Sequence, residues 1–416
     1  MLDWSDVDIA VRDAVREFVD KEIRPHLDEL EGGDMEPYPI IRKLFATFGI
    51  DVMARESLER RLSRLRSGEA SDGKPRASGG MFGGGPDQAG MGMVLISELC
   101  RVSSGLVTGV GVSLGLTVPT IQSRGTLAQQ ERWLPGLVTY EKVGAWAITE
   151  PDSGSDAFGG MKSYVVRAAD GSGDYILNGQ KTFITNGPDA DVVVVYAKLD
   201  EGDGADKRDR KVLTFVLDRG MEGFVQSKPF RKMGIHSSRT GELFFNNVRL
   251  GRDRLLGETE ENKAGDGRDS ARSSFSAERV GVVSMSLGII EECLRLCIDY
   301  AKTRTLWGKE IGQFQLIQLK LASMEVARMN VRNMLFRVIE SGQAGRQIPL
   351  AEASAMKWYC SQAATDVAMD AIQLFGGNGY MTEYRVEQLA RDAKSLMIYA
   401  GSNEVQITHV AKGLLA

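Results

Sequence analysis

Disulfide and zinc chemistry find little to work with here, because the 416-residue chain has only four cysteines and three histidines. No two of Cys100, Cys293, Cys297 and Cys360 have zinc-type spacing, and His26, His236 and His409 do not pair one helical turn apart. Cysteine scarcity fits a reducing compartment, so the expected location is the cytoplasm. A basic excess is also lacking: 51 Lys and Arg stand against 56 Asp and Glu, a net charge of −5. That balance excludes a typical nucleic-acid binder. Met1 to Ala10 carries three aspartates and no basic residue, so no targeting peptide is read there. Val102 to Gln122 has no charge, but its Gly, Ser, Thr and Pro119 suit a buried helix better than a membrane span.

Three nucleotide and nucleophile motifs are missing too. No Gly-x-Gly-x-x-Gly follows a strand, no phosphate loop ends in Gly-Lys-Ser/Thr, and no Gly-x-Ser-x-Gly elbow occurs. A cofactor must therefore be held in another way.

What is present changes period twice along the chain. Residues 1 to about 140 read as helices. Short strands follow at Ala145–Thr149, Tyr164–Ala168, Asp191–Leu199, Val212–Leu217 and Glu242–Val248, separated by turn residues. Beyond about residue 276 the period is again helical: Val283, Leu287, Ile290, Leu294 and Cys297 are spaced four, three, four and three apart. These stripes predict long helices in a bundle, with the cysteines as small buried hydrophobes. The expected class is α+β: a helical domain over 1–143, a β domain over 144–255 and a helical bundle over 270–416. Ser67 to Gly90, Glu201 to Asp209 and Glu258 to Ser274 read as loops.

Three segments concentrate chemistry. Gly144 to Asp156 (GAWAITEPDSGSD) runs a strand into a turn of glycines, hydroxyls and carboxylates, able to surround a phosphate or a ring edge. Asn178 to Gly187 puts an aromatic and several hydroxyls on one strand. Gln373 to Tyr380 (QLFGGNGY) ends a helix on glycines.

Together these segments resemble the acyl-CoA dehydrogenase family over nearly the whole chain. Thr149-Glu150-Pro151 with Gly154-Ser155-Asp156 is similar to one family motif. Arg304, Trp307-Gly308-Lys309 and Phe314-Gln315 resemble a second, and Arg391-Asp392 with Ile398 to Gln406 a third.

The resemblance implies FAD held without a covalent bond, an acyl-CoA substrate, an electron-transfer flavoprotein as acceptor and a homotetramer built as a dimer of dimers. Trp146, Ile148, Thr149, Phe183 and Thr185 would border the flavin ring. Ser155 would reach the pyrophosphate and the CoA. Arg304, Gln315, Gln373, Gly376 and Gly377 would come from the neighbouring subunit, and Trp307 would also bind the cofactor. Ser402 and Glu404 would complete the cofactor site. Gly109, Val112 and Leu116 would line the acyl pocket, with Ser276, Arg279 and Ala400 also against substrate. No metal is implied.

Two departures stand out. Phe183 occupies a position where many members have Trp, which keeps a ring face and loses an indole N–H. Ala400 stands where most members have the catalytic Glu, and a methyl group cannot abstract a proton. Glu278 matches the alternative base position of members resembling isovaleryl-CoA and long-chain acyl-CoA dehydrogenases. From its own surroundings in sequence Glu278 also reads as an acid of a first helical turn facing the macrodipole. An acyl-CoA oxidase and a flavin-holding, non-catalytic subunit are the alternatives.

Overall fold

The computed structural model describes residues 4–68, 89–204, 206–260 and 267–415. The side chains at 89, 269–270 and 272–277 are outside that description, so the Ser276 assignment and most of the Gly-rich segment cannot be placed.

The helical first part comprises α1 (Asp6–Phe18), α2 (Leu27–Gly32), α3 (Tyr38–Phe48), α4 (Ile50–Arg66), α5 (Ala89–Cys100), α6 (Ser104–Val112), α7 (Val118–Arg124) and α8 (Leu127–Val138). Local sequence starts two of these cleanly. Ser5 and Asp8 form a capping box on α1, and Thr126 and Gln129 form one on α8. A π-helical turn, Ser113–Thr117, joins α6 to α7. The continuous stretch Ser104–Arg124 is long and apolar enough to cross a membrane, yet 67% of its apolar 18-residue window is buried inside the fold.

The sheet comprises β1 (Gly144–Ala147), β2 (Tyr164–Arg167), β3 (Tyr175–Thr185), β4 (Val192–Leu199), β5 (Val212–Asp218), β6 (Phe224–Gln226) and β7 (Thr240–Leu250). The order is β1-β4-β2-β3-β7-β6, with β5 paired to β4. Every residue of β4 is buried. Val193, Val195 and Ala197 face the sheet's own core, while Val192, Val194 and Tyr196 join the helical core. Burial on both faces explains its unbroken apolar run. The strand read over Asn178 to Gly187 is part of β3, which carries polar residues and two register shifts against β7, whereas β6, with only three residues, was not read from the sequence.

The last part comprises α9 (Gly267–Thr303), a hairpin of β8 (Thr305–Leu306) and β9 (Lys309–Glu310), α10 (Gln315–Gln343), α11 (Leu350–Phe375), α12 (Val386–Leu396) and α13 (Asn403–Leu415). The segment read as a loop to Ser274 is therefore corrected, since α9 begins at Gly267. Its opening residues, Arg268 to Ser276, are polar or charged apart from Ala271 and Phe275, which hid the helix from an apolar-period argument.

α5 and α9 run parallel and very close. The Ser284 hydroxyl donates to the Met93 carbonyl at 3.1 Å, and a Cβ at Gly288 would lie 2.1 Å from the Ser97 carbonyl oxygen. Four residues further on one helix meets four residues further on the other. Charges brace the same seam: Glu98 pairs with Arg16 and Arg101, and Glu292 with Arg101, Arg24 and Arg295. This packing sets the start of α5 beside residues 280–281 of α9.

Candidate active site

Glu278 lies three turns inside α9, so the first-turn reading of this acid is corrected and no helix-end charge acts on it. Its carboxylate is partly buried and has no hydrogen-bond partner among the described residues. Burial raises it to about 7, against the opposing pull of Arg279 and Lys357. One turn on, a Cβ at Gly281 would meet nothing within 4 Å, and the same holds at Gly92 on α5 and Gly115 in the π-helical turn. Gly281 therefore leaves open space one turn from the carboxylate.

Lys357 on α11 is fully buried, and its Nζ donates to Asn403 Oδ1 at 2.9 Å. Burial lowers it to about 8, while Glu278 and Glu404 favour its charged form. The sequence reading passed over this lysine. Its signal was visible: a lone cation beside the Met356 and Cys360 apolar stripe.

Across from α9, Tyr399 precedes the turn that carries Ala400. Its hydroxyl contacts Met285 Sδ at 3.7 Å, and Thr108 and Glu278 both act on the phenol, whose acidity burial suppresses. Ala400 is 7% exposed and left-handed, with φ 58°. Its N–H, and those of Gly401 and Ser402, make no hydrogen bond among the described residues. Successive unpaired N–H groups in a left-handed turn form a concavity suited to negative charge. Ser402 is half-buried and Glu404 exposed, both at the start of α13.

Gly109 and Leu116 are buried and Val112 half-buried on the α6 side. This side is tied to the sheet. Asn186 Nδ2 donates to the carbonyls of Gly109 and Gly144 at 2.8 and 3.0 Å, and the Gly144 N–H donates to Ser113 Oγ at 3.0 Å. Trp146 Nε1 reaches Thr120 Oγ1 at 3.3 Å. Trp146 and Ile148 are buried, Thr149 and Thr185 half-buried. The Thr182 N–H donates to the Thr149 carbonyl at 2.9 Å, which brings β3 alongside the end of β1. Phe183 is 67% exposed at φ 57°, edge-on to Phe230. An uncovered ring beside Thr149 and Thr185 fits the face of a planar heterocycle.

Ser155 is exposed on the loop after β1, and Glu150 anchors that loop. Its Oε1 accepts from Lys181 Nζ at 2.8 Å and the Ser163 N–H at 3.0 Å, and its Oε2 from the Lys162 N–H at 2.5 Å. Burial pushes the Glu150 carboxyl up, but Lys181 and these N–H groups hold it below the usual range. Lys181 is fully buried and lowered to about 8.

Arg304, Trp307, Gln315, Gln373, Gly376 and Gly377 are all exposed in the single chain. Tyr300 stacks on Phe375 with ring centroids 4.1 Å apart, so the hairpin and the α11 terminus are neighbours. Trp307 and Gly308 take φ 51° and 77°, the left-handed pair that a two-residue turn demands. Among the described residues no group of three or more His, Cys, Asp or Glu can hold a metal ion.

The sequence matches three family models in order: acyl-CoA dehydrogenase N-terminal domain at 77–141, middle domain at 145–248 and C-terminal domain at 265–415. The chain belongs to the acyl-CoA dehydrogenase family, whose members are flavoprotein oxidoreductases. It is 34% identical over 411 residues to an acyl-CoA dehydrogenase of Bacillus subtilis (strain 168), covering 98% of this chain and 97% of the relative. It is 31% identical to a mitochondrial isovaleryl-CoA dehydrogenase of Arabidopsis thaliana, covering 97% and 90%. Butyryl-CoA dehydrogenase from Megasphaera elsdenii superposes with a TM-score of 0.81 at 30% identity, covering 100% and 99% of the two chains. A glutaryl-CoA dehydrogenase from Mycobacterium smegmatis, solved in complex with FADH2, gives 0.82 at 26%, covering 99% and 95%.

Proposed function

We propose that this chain binds FAD and converts an acyl-CoA thioester to its trans-2-enoyl-CoA, with Glu278 as the base. The observation that carries this is a desolvated carboxylate at Glu278 with no hydrogen-bond partner among the described residues, whose charge acts on Tyr399, the residue before a buried turn in which the Ala400 N–H makes no hydrogen bond among the described residues. A base and a donor for the developing enolate are the two groups that α-proton removal requires.

FAD, when bound, supplies the acceptor for the β hydride. Trp146, Ile148, Thr149, Phe183, Thr185, Ser155, Ser402 and Glu404 would hold it from this subunit. Arg304, Trp307, Gln315, Gln373, Gly376 and Gly377 would hold it from a neighbour, and their exposure supports that division. Gly109, Val112 and Leu116 would line the acyl side, with Arg279 towards the CoA. Glu278 takes the α proton, and the Ala400 N–H donates to no competing partner among the described residues, so it remains for the thioester oxygen. Packing of α5, α6 and α9 excludes water around the reacting carbons.

Electrons then pass to an electron-transfer flavoprotein. The homotetramer is supported by exposed Leu316, Leu319, Val326 and Met329 along α10. Four buried, unpaired thiols suit a cytoplasmic setting. The three-domain division at 1–143, 144–255 and 270–416 belongs to the same proposal.

The test is anaerobic addition of a panel of acyl-CoAs to the yellow protein. Bleaching by at least one, with slow peroxide formation in air, is the expected result. Peroxide at the rate of turnover would make the chain an oxidase. No bleaching by any substrate would favour the non-catalytic subunit.

A further inference from the structure

The Ala400 peptide is held in place by a side chain that the proposed reaction does not otherwise use. Gln406 on α13 is fully buried, and its Nε2 donates to two carbonyl oxygens, of Ala400 at 3.1 Å and of Gly401 at 2.8 Å. Both residues are left-handed, with φ 58° and 79°. Glycine takes that conformation freely, but an alanine there is strained and tends to return to the right-handed basin. Such a return would rotate the peptides around Ala400 and redirect its N–H.

The turn is pinned from both sides. Upstream, the Tyr399 N–H donates to the Ser395 carbonyl at 3.2 Å. Downstream, Gln406 ties the next two peptide planes to the first turn of α13. Between these anchors the Ala400 N–H is left without a partner among the described residues. Gly401 is required for the arrangement, since a Cβ there would lie 2.6 Å from Gln406 Nε2. Asn403 adds a further tie, accepting from Lys357 and from Ser361 at 2.9 and 3.0 Å.

We propose that Gln406 is a positioning residue, which holds the left-handed Ala400 turn so that the Ala400 N–H faces the thioester oxygen of the substrate. The proposal rests on the reading of that N–H as the enolate donor. Gln406 donates its amide N–H groups to the Ala400 and Gly401 carbonyls. It acts only through the backbone, so its loss should cost transition-state stabilisation far more than ground-state binding.

Two variants of the whole flavoprotein test this. Gln406→Met keeps length and removes the donor. Gln406→Asn keeps a buried amide but is one methylene too short to reach both carbonyls. The readouts are FAD content, KM, the limiting rate of anaerobic flavin reduction, and the thioester carbonyl stretching band of bound enoyl-CoA by infrared difference spectroscopy. Both variants should retain FAD, hold KM within about threefold and lower the limiting rate ~10²-fold, the low end of losing one such donor. The carbonyl band, shifted from its position in water in the wild type, should move back towards it. Wild-type rate and an unchanged band in a variant would overturn the role of Gln406. So would loss of FAD or of fold in both variants, which would make Gln406 a structural residue. An unshifted band in the wild type would instead overturn the reading of the Ala400 N–H on which the proposal rests.

Discussion

Glu278 and Lys357 are both buried and each biases the other's protonation. Burial lifts the carboxyl to about 7 and lowers the amine to about 8, and each charge favours the other. Arg279 and Tyr399 are the other titratable groups acting on or beside the carboxyl. Flavin reduction should therefore rise with pH through about 7 and level off above it. Lys357→Met removes a cation, so it should move that midpoint up by about one unit and leave the high-pH plateau unchanged. A lower plateau with an unmoved midpoint would assign Lys357 to structure alone. The same shift has a stability consequence. The folded carboxyl titrates above its ordinary value of 4.5, so the folded chain holds a proton that the unfolded chain releases. Stability from this group is complete below that value and is lost as pH rises through about 7. Glu278→Gln should then raise Tm at about pH 8 and leave it unchanged near pH 4, as differential scanning calorimetry can check. Equal increments at both would contradict the raised value. In sequence, Glu278 stood out only through Ala400 and the family resemblance. Its burial and Lys357 could not be read, because both depend on α11 packing against α9.

At the scale of elements, the strand content was legible where apolar residues run together, as in β4, and poorly legible in β3. There Asn178, Gln180 and Lys181 interrupt the pattern, the first two bonded to Asn247 and Glu242 of β7 and the third to Glu150. Lys181 is the clearest case, a fully buried lysine whose partner Glu150 organises the loop carrying Ser155. Glu150→Gln strands the buried ammonium and weakens the bonds to the Lys162 and Ser163 N–H groups. The expected loss is about 3 kcal/mol, the low end for a broken buried pair, because Lys181 can neutralise itself by releasing its proton. Urea denaturation of the apoprotein would measure it, and adding Lys181→Met should recover most of the loss. No recovery would mean that the loop bonds, not the stranded charge, dominate. The start of α9 was misjudged for a different reason. Its first ten residues have no apolar stripe, so only the tertiary fold reveals them as helix.

For the whole molecule, the order of helices, sheet and helices followed from the changes of period, while the assembly did not. Arg304, Trp307 and Gln315 lie exposed at the hairpin, and Leu316 and Leu319 continue that apolar surface along α10. A single chain gives them no partner surface, so a subunit interface is the account's expectation. Leu319→Glu should dissociate the oligomer in analytical ultracentrifugation and release FAD in parallel. Arg304→Ala should weaken both, because its guanidinium is expected to pair with the cofactor across the interface. FAD retained at full occupancy by a dissociated Leu319→Glu monomer would show that each subunit holds its cofactor alone.

The central claim is that the base stands at Glu278, since Ala400 cannot act as one. The most direct measurement is the limiting rate of anaerobic flavin reduction by Glu278→Gln, using the acyl-CoA that bleaches the wild type fastest. The variant keeps the shape of the side chain and loses the proton acceptor. It should bind FAD and substrate as the wild type does and reduce its flavin ~10²–10⁴-fold more slowly. Reduction at the wild-type rate would contradict the account and place the base elsewhere in the site.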